Sequence, residues 1–392
     1  FAIRSTFGLF QIPIAEQFMW ARSEFSMAIA IQNLAWGIGT PIFSAFAEKF
    51  GDRKAITIGL VLYALGILIS STASSPEAHQ FLNILIGFGI AGSGFGPILA
   101  VVGRTASAEK RSLALGITTA AGSAGQVVGP PFAAILLDIM PWSSVFGIFA
   151  IISILTIFLV PLLKTEPKIS KEEVENNLSD TLKDALKDPT YLMLFLGFFS
   201  CGFQLAFITA HFPAFIAEAS SPIIQGSLIS IVCNSVASLG ALSIALIGLF
   251  NIIGSITAGA MGKHFTKKYL LSIIYTGRTV AAIAFIMLPI TPTSVVVFSI
   301  VMGSLWLATV PLTSGIIGYI YGLKFMGTLY GIVFLSHQIG SFVGVWLGGL
   351  FYDIYGSYDL VWWVGIGVGA FSAIIHLPVK EIPLQDRKLI TT

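Results

Sequence analysis

The sequence predicts an all-α integral membrane protein of twelve helices arranged as two related halves of six. Three observations predict it. Of 392 residues, 55% are hydrophobic and only 10% are charged, where an ordinary soluble domain carries about 25% charged residues. The apolar residues gather into runs of about 20, the length a helix needs to cross the hydrocarbon core. The chain also repeats itself: Gly116-x8-Gly125-x3-Gly129 recurs as Gly331-x8-Gly340-x3-Gly344, an offset of 215 residues. The same offset carries Asp138 onto Asp353, Gly39 onto Gly254, Phe50 onto Phe265 and Arg53 onto Lys268.

The expected spans run 1–14, 24–46, 55–73, 80–103, 112–137 and 143–163, then 190–216, 239–262, 269–289, 293–322, 325–352 and 357–378. Because the chain opens at Phe1 inside an apolar run without a basic flank, its first helix reads as truncated and not as a signal peptide. A first bundle over 1–163, a charged linker over 164–188, a second bundle over 189–380 and a tail over 381–392 follow from this map. The linker reads as a solvated amphipathic segment. Residues 225–262 as one helix would reach about 57 Å at 1.5 Å per residue. Part of that stretch must therefore lie along the outer surface, or break near Ser238-Leu239-Gly240.

Positive charge tests the map independently. Eighteen of the 21 lysines and arginines fall after spans two, four, six, eight and ten and in the tail, among them Lys164, Lys168, Lys324, Lys380 and Lys388. The opposite loops hold only Arg22, and Arg4 and Arg278 lie inside spans. By the positive-inside rule, both ends and the central linker face the cytoplasm. Net charge of +2, scattered among short loops, gives no nucleic-acid surface. Two cysteines, Cys201 and Cys233, make no disulfide framework. No metal-ligand spacing, nucleophile motif or phosphate-binding loop is present, so neither an enzyme nor a metal or cofactor site is expected. A duplicated set of membrane helices is instead the signature of a secondary transporter.

Two motifs carry a family resemblance. Between spans two and three stands Ser44-Ala45-Phe46-Ala47-Glu48-Lys49-Phe50-Gly51-Asp52-Arg53-Lys54. It resembles the loop signature Gly-x-Leu-Ala-Asp-Arg-x-Gly-Arg-(Arg/Lys) of the major facilitator superfamily, with Lys49, Gly51, Arg53 and Lys54 in place. Ser44 replaces the first glycine and Glu48 the aspartate. Its echo, Gly259 to Lys268, keeps the first glycine and the terminal basic pair but puts Lys263 where the acid belongs. The resemblance implies the major facilitator fold and a monomer. It also implies that Glu48, Lys49, Gly51, Arg53 and Lys54 latch a closed state; the alternative is that the bases only set topology. The second motif, Gly116-x8-Gly125-x3-Gly129-Pro130, is similar to the family's fifth-helix pattern. Its glycines, with counterparts Gly331, Gly340 and Gly344, admit close helix packing, and Pro130 and Pro131 bend the helix. Arg4, the run Cys201 to Pro213 and the run Leu335 to Ser341 resemble the monocarboxylate and oxalate/formate branches, whose substrates are small carboxylates.

A charge near the bilayer centre costs about 2.5–3.5 kcal/mol, and no span interior contains a carboxylate to offset one. Arg4, near mid-depth, is therefore expected to face an anion or to be satisfied by backbone carbonyls. Arg278 is expected to bind substrate or to brace neighbouring helices with its five donors. Aligning Pro13 with Pro213 sets Gln204 against Arg4, giving one cation and one neutral donor for a carboxylate. His211 and His337 can titrate near neutral pH and link proton movement to transport, or simply pack. Gln338, Tyr275, Gln32, Asn33 and Trp36 complete the expected lining.

The expectation is a plasma (inner) membrane transporter that moves a small organic anion by alternating access, coupled to proton symport or anion exchange. Drug or cation efflux is the rival within transport, although that chemistry favours a buried acid. A non-transporting membrane sensor is the remoter alternative.

Overall fold

A computed structural model describes residues 2–20, 22–163, 171–226, 228–232, 236–384 and 386–387. Phe1, Lys164, Lys168, Cys233 and Lys388 lie outside the described residues, as does the start of the linker. A 3-10 turn over Arg4–Phe10 leads into α1 (Gln11–Phe18). Then come α2 (Arg22–Phe50), α3 (Asp52–Ser70), α4 (Pro76–Ser93), α5 (Phe95–Thr105), α6 (Arg111–Ile139) and α7 (Trp142–Thr156). The linker helix is α8 (Lys171–Lys187). The second half holds α9 (Pro189–Ala219), α10 (Leu228–Val232), α11 (Val236–His264), α12 (Lys267–Met287) and α13 (Pro292–Leu305). It ends with α14 (Thr309–Tyr321), α15 (Met326–Tyr355) and α16 (Asp359–Ile375).

Among the described residues, nine helical stretches are long and apolar enough to cross a bilayer. The expected first, second and twelfth spans correspond to Arg4–Phe18, α2 and α16. Apolar side chains such as Leu68, Phe158, Ile273 and Trp363 point outward, as they must on a surface solvated by lipid tails.

Local chemistry sets several starts. Ser75-Pro76, Asp188-Pro189 and Thr291-Pro292 each place an N-cap oxygen before a proline at the first helical position. The side-chain oxygens accept from the amides of Ala78, Thr190 and Ser294, while proline has no N–H to leave unsatisfied. Gly51 links α2 to α3 with φ of 106°, a backbone conformation that favours glycine.

Three expectations change. Spans four and ten are each two helices, broken at Gly94 and at Trp306–Ala308. The first span stays helical beyond Pro13 to Phe18. Residues 238–240 are helical within α11, so no break lies there.

The halves pack internally through α2, α3, α4 and α7 in the first, and through α9, α11, α12, α13, α15 and α16 in the second. They meet along two seams, α2 against α15 and α6 against α11. The 215-residue repeat explains why both seams are close. A Cβ on Gly116 would lie 2.6 Å from the Ser255 carbonyl oxygen and 3.0 Å from Gly259 Cα, while one on Gly331 would lie 2.8 Å from Pro41. Pro41 is one residue from the repeat counterpart of Ser255. Further along, Gly125 and Gly129 press on Ala2, and their counterparts Gly340 and Gly344 press on Phe199 and Phe203. The glycines thus admit first the opposite half and then their own half's leading span. Pro130 and Pro131 sit inside a continuous α6.

Candidate functional site

The two broken spans are counterparts, since Gly94 and Thr309 lie 215 residues apart. Helices interrupted at matching places in two repeats mark a binding region in transporters, because irregular backbone survives at membrane depth only inside protein or beside a cavity. An arginine stands at each break, and the two are used differently.

Arg4 lies beside the first break. A small cavity of about 50 Å³ is lined by Arg4, Tyr63, Ile90, Ser93 and Gly94. Asn33 and Trp36, three residues apart on α2, present one helix face to the arginine. Arg4 Nη2 donates to Asn33 Oδ1 at 2.8 Å, and its guanidinium carbon sits 4.9 Å from the centre of the Trp36 ring. Arg4 Nε is buried without a hydrogen-bond partner, and so is the Tyr63 hydroxyl. No carboxylate bonds Arg4 among the described residues. The arrangement is a half-buried cation with a spare donor, a second donor nearby and a small open space.

Arg278 lies at the second break and is fully buried. Its Nε and Nη2 donate to the Leu305 carbonyl at 3.0 and 2.6 Å, and Nη2 also bonds the Trp306 carbonyl. Where a helix stops, its last carbonyls lack amide partners; Arg278 supplies them. Of the two expected roles, bracing is the one this geometry displays. Only Nη1 remains unpartnered, and the guanidinium lies 5.4 Å from the Tyr275 ring centre.

The pairing of Gln204 with Arg4 is not formed. Gln204 Nε2 donates to the Gly365 carbonyl at 2.9 Å, and the residue lines a small apolar cavity with Phe207, Ile208, Met302 and Trp362. These neighbours all belong to the second half, and Gly369 of α16 leaves room for the amide. His211 Nε2 donates to the Val345 carbonyl at 2.9 Å, with Phe207 and Tyr358 against its ring. His337 differs. Its ring stacks on Phe334 at 5.1 Å, its Nδ1 donates to Gln338 Oε1 at 3.2 Å, and its Nε2 is buried without a partner. Phe334 in turn meets Trp36 at 5.0 Å, so an aromatic pair separates Arg4 from His337. Gln338 packs on Gly37 at the α2/α15 seam. Gln32 is turned away to Asn83 at 2.8 Å.

The loop motif divides in two. Glu48 crosses the seam: it accepts from the Thr328 amide at 3.0 Å and from the Thr328 hydroxyl. Thr328 stands in the first turn of α15, where amides are unpaired and the helix dipole favours an anion. Of the bases, Arg53 bonds within its own half. Arg53 donates to the Leu163 carbonyl at 2.7 and 3.3 Å, Lys49 lies 5.6 Å from the Phe50 ring, and Lys54 is exposed. Neighbouring Asp52 pairs with Arg104 at 2.5 Å. Thr328, Tyr63 and Asn251 are the residues that sequence reasoning missed. The repeat offset would have pointed to the second break, but no local signal marks a threonine as the partner of a glutamate 280 residues away.

Comparison with known proteins agrees with this architecture. The sequence pattern of the Major Facilitator Superfamily matches residues 1–317. The chain is 28% identical, over 99% of its length and 92% of the relative's, to the uncharacterized MFS-type transporter YcxA of Bacillus subtilis (strain 168). It is 24% identical to monocarboxylate transporter 13 of Bos taurus, over 91% of this chain and 80% of that one. Its fold matches the proton:xylose symporter XylE with a TM-score of 0.74 at 13% identity, covering 99% of this chain and 95% of the other. With the matched pattern, the duplicated halves and the paired breaks all in agreement, the chain belongs to the major facilitator superfamily, as a multi-pass membrane transporter and not an enzyme.

Proposed function

We propose that this transporter moves a small monocarboxylate across the plasma (inner) membrane by alternating access, and that Arg4 is the group that binds the carboxylate. The observation that carries this reading is the unneutralised guanidinium of Arg4 beside a cavity, with Nε and the Tyr63 hydroxyl left without partners. A buried charge with no counter-charge is expensive, and an anionic substrate offsets that cost whenever it binds. Resemblance to a monocarboxylate transporter supports the same class. Drug or cation efflux gains no support from the site, because a cation would meet Arg4 with like charge.

In this reading the functional halves are 1–163 and 189–380, joined by 164–188 and followed by the tail 381–392. The basic end, which carries the Glu48–Thr328 bond, faces the cytoplasm. His337, with one ring nitrogen free, is the group for proton symport; anion exchange needs no titrating group beyond the substrate. Gln338 and Arg278 support the site from the seam and the second break, while Gln204 and His211 hold α9 to α16 and α15.

The test is thermal stabilisation of the purified protein by a panel of monocarboxylates, amino acids, sugars and cationic drugs, repeated on Arg4→Gln. Monocarboxylates raise the melting temperature of the parent and not of the variant. Stabilisation by cations alone, or an unchanged response in R4Q, would overturn the assignment.

A further inference from the structure

The α6/α11 seam contains a buried polar knot that none of the roles above uses. Asn251 of α11 is fully buried, as are Ser123 of α6 and Ser255 of α11. Asn251 Nδ2 donates to Ser123 Oγ at 2.7 Å, across the boundary between the halves. Asn251 Oδ1 accepts from the Leu307 amide at 2.9 Å and from Ser255 Oγ at 3.1 Å. Because Leu307 N–H can only donate, Asn251 Oδ1 faces Leu307 and the NH2 faces Ser123 in this arrangement. Ser123 Oγ in turn donates a hydrogen bond to the Thr119 carbonyl at 3.1 Å.

Leu307 lies in the break between α13 and α14. The break has Asn251 on its amide side and Arg278 on its carbonyl side. The two segments it separates differ in what they touch. α13 packs on α11 and α12 of its own half, whereas α14 also packs on α5 and α6 of the first half. Any separation of the halves at the basic end therefore acts on α14 and spares α13, and the break is where the difference must be absorbed. Ser123 loses contact with Asn251 in that same separation.

We propose that Asn251 is a positioning residue that couples closure of the two halves to the geometry of the second break. While α6 is docked, Ser123 holds the Asn251 amide in the orientation that secures Leu307. Once α6 departs, the amide is free to turn, the Leu307 bond loosens, and α14 pivots with its new neighbours. The repeat supports the placement, since Asn251 is the counterpart of Trp36, which adjoins Gly94 at the first break. The first half uses a ring there and the second an amide. Only the amide can bond a backbone N–H and the opposite half together.

The experiment is hydrogen exchange of the full chain in detergent, without ligand, read on peptides covering 305–309. Ser123 hydrogen-bonds Asn251 and Thr119 and not that segment, so a role confined to those local bonds leaves its exchange unchanged in Ser123→Ala. Coupling makes the segment exchange about three- to tenfold faster, as expected for loosening one buried hydrogen bond. Asn251→Ala, which removes the Leu307 partner directly, shows at least the same increase. Peptides from α3 exchange at the parent rate in both variants, which shows that the fold is intact. Unchanged exchange at 305–309 in S123A, or in N251A, overturns the proposal. Should S123A not be recovered, Ser123→Cys keeps a weaker partner and gives the same reading at smaller amplitude. Because no ligand is involved, failure here is separate from failure of the carboxylate assignment.

Discussion

Glu48, near the end of α2, caps the first turn of α15 by accepting from both the amide and the hydroxyl of Thr328. One carboxylate therefore ties the first half to the second at the basic end, where the glycines of both seams also bring the halves closest. On the proposed latch role, the bond breaks when that end opens and so contributes to the closed state alone.

Glu48→Gln keeps the shape but gives up the charge. A charge-assisted bond exceeds a neutral one by about 1–2 kcal/mol, so the closed population should fall roughly 5- to 30-fold relative to open. Hydrogen exchange of residues 326–331 will rise by a similar factor. Parent-like exchange there would show that Glu48 does not hold the seam.

At the α6/α11 seam, a Cβ built on Gly262 lies 3.7 Å from that of Ser112, within the range for a disulfide of about 3.5–4.5 Å. Ser112→Cys with Gly262→Cys, in a background where Cys201 and Cys233 are serine, should cross-link under mild oxidation once Leu312 turns aside. Adding Gly259→Ala should lower the yield, because the new methyl meets Gly116 Cα at 2.9 Å and overpacking costs about 1–3 kcal/mol. Gly349→Ala, with open space around it, should leave the yield unchanged.

Arg278→Lys separates bracing from substrate binding. An ammonium cannot reproduce the fork on the Leu305 and Trp306 carbonyls, and about 2–4 kcal/mol of stability is lost with those bonds. The melting temperature should drop by several degrees. Ligand affinity, measured below that temperature, should stay within a few-fold of the parent, whereas a direct ligand role would reduce it strongly.

Asp188, at the basic-end start of α9, binds Arg387 at 2.7 and 3.2 Å and accepts from Tyr321 and the Thr190 amide. Burial works against its charge, but the bonds from Arg387, Tyr321 and Thr190 outweigh it and hold the carboxyl below its ordinary value. A depressed folded value means the contribution is complete above the unfolded value, about 3.9, and is lost as pH falls through the folded one. Proteolysis near Arg387 should thus be flat from pH 8 to about 5 and rise only in stronger acid. Asp188→Asn should show the acid-like pattern at neutral pH.

Much of the fold was legible in the chain. The spans and the α2-to-α3 loop follow from run length and from a glycine that tolerates positive φ. Gly116 and Gly331 announced close helix approach, and the structure supplies their partners. The site was legible only in part. Arg4 stood out because a charge in an apolar run is rare, yet alignment at Pro13 and Pro213 misplaced Gln204, since two prolines fix chain position and not helix rotation. His211 and His337 look alike in sequence; each spends one N–H, on Val345 and on Gln338, and His337 buries its other nitrogen without a partner.

What the sequence determined by itself is therefore the membrane architecture: twelve spans, two repeated halves and an asymmetric distribution of positive charge. Those properties are sums over neighbouring residues, and neighbours in sequence suffice to read them. Tertiary structure alone decided which of the two arginines inside spans keeps a spare donor. Arg278 is consumed by carbonyls that a break in a different helix leaves exposed, whereas Arg4 meets one side-chain oxygen and a cavity. Whether a donor is spent or spare depends on acceptors tens of residues distant, and only folding brings them within hydrogen-bond reach.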